Sequence, residues 1–117
     1  MKTQHYSMNV GLNIGKTNEK LSQDKVVRAI HRTFPNTHST TFVPEHDGFE
    51  DTIIAHFHAH PLVVHAAVHD LSAELHQMAI AYRNEDTKEG HLAGPQAQQW
   101  GSFSPEHFQT ANGGTQK

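Results

Sequence analysis

Six of the chain's histidines lie between residues 56 and 76: His56, His58, His60, His65, His69 and His76. Histidine has the unperturbed pKa nearest neutrality and is the commonest metal ligand. The run therefore points to metal binding, proton chemistry or a pH-sensitive contact surface. His56 and His58 are two apart, so on a strand they share a face. Two imidazoles at that spacing can reach one divalent ion, with His60 or a carboxylate as a third ligand. His65 and His69 are four apart, which on a helix also permits a shared metal. Position 66 is Ala, where a zincin motif carries its general base, so a metalloprotease is excluded. Asp70 and Glu74 add carboxylates to the same stretch. Beside these readings stands a plain one, a polar solvated face, and sequence leaves all of them open. The remaining histidines, His5, His31, His38, His46, His91 and His107, read as scattered surface residues.

Other chemistry is thin. The chain has no cysteine, which removes disulfides, thiolate nucleophiles and Cys-type zinc sites. Gly11-x-x-x-Gly15-Lys16-Thr17 ends like a phosphate loop but is one residue short between its glycines. No Gly-x-Ser-x-Gly elbow occurs. The formal charge is −3 with neutral histidines, the wrong sign for a duplex-binding footprint. Protonating all twelve histidines would carry it to +9, so charge depends strongly on pH in mild acid.

The elements that must position these residues follow from periodicity. Met8, Val10, Leu12 and Ile14 alternate with Asn9, Gly11 and Asn13, a half-buried strand over 8–14. Ser22 caps a helix carrying Val26, Val27, Ile30 and Phe34 at helical spacing, and Pro35 stops it. Residues 39–45 are β-branched and aromatic. Asp47-Gly48 is a two-residue hairpin turn signal, and folding about it sets Phe42 opposite Ile53 and Thr41 opposite Ile54. The returning strand, roughly 50–59, turns Ile53, Ala55, Phe57 and Ala59 to the core and Ile54, His56 and His58 away from it. Pro61 opens a second helix with a Val64, Val68, Leu71, Leu75 stripe beside a His65, His69, Ser72, His76 stripe. Residues 77–83 alternate again, and 84–99 read as loop. The order β-α-β-β-α-β predicts an α+β, ferredoxin-like sandwich, with four antiparallel strands and both helices on one face. One domain is expected over 1–108, with an aromatic extension at 84–108 (Trp100, Phe103, Phe108). A polar tail follows from 109.

The segments Asn9-Val-Gly-Leu-Asn-Ile-Gly and Leu92-Ala-Gly-Pro-Gln-Ala-Gln-Gln-Trp-Gly-Ser-Phe-Ser-Pro-Glu-His-Phe108 resemble small tailed-phage accessory proteins of unknown function. The likeness covers the two ends and not the histidine run. It implies a mobile-element protein that inhibits a host system, and it transfers no catalytic residue. The expectation is a non-enzymatic protein-binding module without cofactor, acting in the cytoplasm, the host's if phage-encoded. It would bind a partner or its own copy, not nucleic acid or membrane. Its surface would comprise Asn9, Asn13, His56, His58, Trp100 and Phe103. The alternative is a zinc-type metal protein or metal-dependent enzyme built on His56, His58 and His60, or on His65 and His69.

Overall fold

A computed structural model describes residues 2–13 and 21–110. Ile14, the Gly15-Lys16-Thr17 stretch and 111–117 lie outside the described residues. The chain is α+β, with two helices and a five-stranded antiparallel sheet. The strands are β1 (Gln4–Gly11), β2 (Thr37–Val43), β3 (Thr52–Ala59), β4 (Ile80–Asn84) and β5 (Gly90–Ala93). The helices are α1 (Gln23–Thr33) and α2 (Val64–Glu74). Sheet order is β2-β3-β1-β4-β5.

The fifth strand corrects the four expected. Gly90-His-Leu-Ala is too short to announce itself, and its pairing to β4 is what makes it a strand. β1 also begins four residues earlier than its apolar alternation predicted. It is the central strand, held by ladders to β3 and β4 on its two edges; the β3 ladder and a bond from Glu85 N to His5 O carry the polar Gln4 and His5 into the sheet.

Local chemistry explains the rest. Ser22 caps α1, its hydroxyl accepting from Lys25 N at 3.1 Å. Asp47 and Gly48 take φ of 47° and 86°, the left-handed pair that a tight hairpin requires. His46 and Phe49 exchange backbone bonds of 3.1 and 2.7 Å across that turn. The register follows from it: Phe42 lies opposite Ile53 and Thr41 opposite Ile54. Pro61 sits in a turn before α2 and not in its first helical turn. His60 builds that turn, its Nδ1 accepting from Leu62 N and its carbonyl from Val63 N and Val64 N. α2 ends in a Schellman pattern, with Gln77 N bonded to Ser72 O and His76 N to Ala73 O.

Val26, Ala29 and Ile30 of α1, and Val64, Val68 and Leu71 of α2, share one buried cluster. It also holds Tyr6, Met8 and Val10 of β1, Ile53, Ala55 and Phe57 of β3, and Ile80 and Tyr82 of β4. Alternate residues of those strands form the opposite face, where the histidines lie.

Candidate functional site

The opposite face carries His5, Ser7 and Asn9 from β1, and Thr52, Ile54, His56 and His58 from β3. Antiparallel register sets His5 across from His58 and Ser7 across from His56. A register shift between Thr37 and Ser39 in β2 lets His38 join them. Four imidazoles result. Ring centroids are 5.2 Å apart for His5–His38 and for His5–His58, and 5.3 Å for His5–His56. His38 lies 5.4 Å from His58 and 6.0 Å from His56. His56 Nδ1 is 3.2 Å from His5 Nε2, so one nitrogen donates and the other accepts.

His5 and His56 are half-buried, while His38 and His58 are exposed. Burial lowers the pKa of His5, and the neighbouring His38 and His58 lower it further against the pull of Glu85 and Asp86. Burial likewise lowers that of His56, with His5 beside it. Both shifts favour the neutral ring, and the bonded pair keeps one further lone pair able to accept or to ligate.

A carboxylate network borders the cluster. Glu85 accepts from the Ser7 hydroxyl, from Arg83 Nε at 2.9 Å and from Lys88 Nζ at 2.9 Å. Burial pushes the Glu85 carboxyl up, but the bonds from Ser7, Lys88 and Arg83 outweigh it and hold it at about 2. So weak a base cannot abstract protons near neutrality.

The chain's own C-terminal segment covers the rest of this face. Gln109 N donates to Asn9 Oδ1 at 2.8 Å, and Asn9 Nδ2 donates to Gln109 O at 3.2 Å. Gln109 Nε2 donates to Thr52 Oγ1 at 3.0 Å, and its Oε1 lies 2.6 Å from His46 Nε2. Those contacts, first from Gln109 and then from Asp47, raise the His46 pKa. Phe108 is 1% exposed, with the Arg83 guanidinium 5.0 Å above its ring. Phe103 packs on Phe108 and on Gly90, where any Cβ would stand 2.2 Å from its ring. Val43, Ile54 and Phe108 are buried yet lie outside the helix-side cluster. By register Val43 and Ile54 lie on this sheet face, the one the clasp covers.

Several expected site residues are thereby reassigned. Asn9 is not open surface but one half of the clasp. Phe103 packs in cis, whereas Trp100 remains 61% exposed. Gln109, placed in the polar tail, is fully buried. Asn13 is exposed, and its N–H donates to Glu50 Oε1 at 2.8 Å. His60 belongs to the turn before α2 and not to the cluster. On the helix side, His65 Nδ1 is bonded to Tyr82 Oη at 2.8 Å, and His69 Nδ1 lies 3.5 Å from Asp70. Among the described residues, no three His, Asp or Glu side chains converge as metal ligands. Sequence missed His5 and His38. The signal for His5 was present: Tyr6 continues the alternation of Met8, Val10 and Leu12 backwards.

A cavity of about 890 Å³ opens beside the clasp, lined by Thr52, Gln77, Ala81, Leu92, Trp100 and Phe103 among others. Three of its amides are already engaged: Gln77 Nε2 donates to Gly11 O, and Asn9 and Gln109 hold each other. The histidine cluster is thus the better candidate. No described helix is long and apolar enough to cross a membrane. Comparison with family models, curated proteins and solved structures gives no match.

Proposed function

We propose that this chain is a non-enzymatic binding module that docks a protein, or a second copy of itself, on the histidine-bearing half of its sheet. One observation carries the reading. The clasp covers one half of the open face and leaves the other as four neighbouring imidazoles, of which two are half-buried and shifted toward the neutral form. Imidazoles that favour the neutral form, as His5 and His56 do, are cheap to desolvate compared with charged side chains and still offer donors and acceptors. The patch continues to β2, the end strand of the sheet, whose residues 37–43 carry no Asp, Glu, Lys or Arg. An uncharged end strand can take a partner strand by backbone pairing. Leu62 and Val63, just beyond β3, are 77% and 54% exposed and add apolar surface. Strands β4-β1-β3-β2 with both helices on one face support a ferredoxin-like unit, to which β5 and the clasp are additions. The likeness of the chain ends to phage proteins favours a host protein as partner and inhibition as the outcome.

The test is site-specific photo-crosslinking in bacterial cells, with the crosslinker at position 58 and, as control, at position 69 on α2. A discrete adduct from position 58 alone, identified as partner or dimer by mass, is expected. Equal labelling from both positions, or none from position 58, would sink the proposal.

A further inference from the structure

We propose that His5 and His56 chelate a divalent transition-metal ion, with His58 or His38 turning in as a third ligand. This goes beyond partner docking and requires no partner. The geometric ground is the 3.2 Å separation of His5 Nε2 and His56 Nδ1. Two nitrogens bound to one tetrahedral ion at about 2.0–2.1 Å sit about 3.3–3.4 Å apart. The pair is therefore spaced for a shared ion with a shift of only a few tenths of an ångström.

The rest of the surroundings agree. A neutral imidazole has one proton and two ring nitrogens, so each ring can hold its proton on the far nitrogen and present a lone pair to the ion. The bridging proton moves to His5 Nδ1 or His56 Nε2, and no net proton is lost. His58 stands directly across the ladder from His5, its ring stacked at 5.2 Å, and His38 is equally near. Both are exposed, so rotation of either ring meets little resistance. In the rotamers described, only two nitrogens converge, and the third ligand is recruited on binding. Water completes the shell. All-imidazole donors select zinc, nickel or copper(II), and disfavour magnesium and calcium, which take oxygen. Glu85 is excluded as a ligand because Ser7, Arg83 and Lys88 already engage it.

The experiment is titration calorimetry of the full, untagged, chelator-treated chain with zinc and with nickel, and magnesium as the negative control. One ion per chain is expected, reversed by chelator. Losing a ligand's outer-shell partner already costs about 10–100-fold in affinity. Loss of a ligand itself, in His5→Ala or His56→Ala, should therefore weaken binding at least about tenfold, while His60→Ala and His65→Ala leave it unchanged. Cobalt(II) absorption of the wild-type chain gives a readout free of any folding defect. Tetrahedral bands are expected, and they should be missing from His5→Asn while its melt stays cooperative. No binding of zinc, nickel or cobalt, or binding indifferent to both His5→Ala and His56→Ala, overturns the proposal.

Discussion

Phe108→Ala tests whether the C-terminal segment is part of the fold. The side chain is 1% exposed, and truncating a buried phenylalanine costs about 3–5 kcal/mol through lost transfer energy and the cavity left behind. Loss of the Arg83 guanidinium over its ring removes about 0.5–2 kcal/mol of that attraction, more when the cation is shielded from water. Four hydrogen bonds at Gln109 would still hold the segment, each with a net value of roughly 0.5–1.5 kcal/mol. If they yield, Val43 and Ile54 become wet as well. For a chain of this size each kcal/mol moves the melting temperature by roughly 4–5 °C, so a fall of about 12–25 °C is expected. The assay is thermal and urea unfolding of Phe108→Ala beside Trp100→Ala. Trp100 is 61% exposed, and its variant should stay within about 0.5 kcal/mol of wild type. A Phe108→Ala melt matching that of Trp100→Ala would mean that the segment is not docked and that the sheet face is open along its whole width.

Gly90→Ala should cost about 1–3 kcal/mol, because its new Cβ meets the Phe103 ring; unfolding midpoints check this, and no loss would place Phe103 elsewhere. Glu85→Gln should cost about 2–3 kcal/mol, below the fully buried range because Lys88 and the Glu85 rim see solvent; a loss under half of that would show Arg83 content without its partner. His76 holds φ of 57° at the end of α2, so His76→Gly should gain about 0.5–1 kcal/mol by relieving left-handed strain, read as a raised midpoint. The pKa values of His5 and His56 are lowered on folding, so the unfolded chain takes up more protons and stability falls as pH drops through the window just below 6.5. His46, shifted upward, adds stability below 6.5 that is lost as pH rises, and opposes part of that slope. Urea midpoints between about pH 7.5 and about pH 5.5 should therefore fall in wild type and flatten in His5→Gln/His56→Gln; equal slopes would refute the burial assignment.

Where one local signal controls the backbone, the sequence was readable. Asp47-Gly48 permits essentially one hairpin geometry, and the pairing of Phe42 with Ile53 follows from counting outward. Ser22 and Pro35 bracket α1 in the same way. The parts that were not readable depend on tertiary pairing. β5 exists because β4 offers it an edge. The first residues of β1 are strand because β3 pairs with them and Glu85 N bonds to His5 O, against the polarity of Gln4 and His5. The clasp was hidden for a related reason: Asn9 and Gln109 are ordinary polar residues a hundred positions apart, and only the closed sheet shows that they complete each other's hydrogen bonds.

The histidine run itself was a partial guide. Density along the chain drew attention to His60, which the fold sends to the turn before α2, and to His65 and His69, which lie on α2 as their spacing predicted and away from the cluster. Two members of the real cluster, His5 and His38, come from strands on either side of β3. Period-2 alternation sorts residues by face, but it does not sort them by neighbour; register does that, and register across β1 and β3 is set by long-range pairing. Crowding also changes what these residues are. A lone exposed imidazole is polar surface, whereas His5 and His56, half-buried against each other, are shifted toward the neutral form and keep one unshared lone pair between them. That shared contact ties docking and metal capture to protonation: a first proton strengthens the N–H···N bond but blocks the nitrogen an ion needs, and charging both rings drives the pair apart and raises the cost of burying the patch.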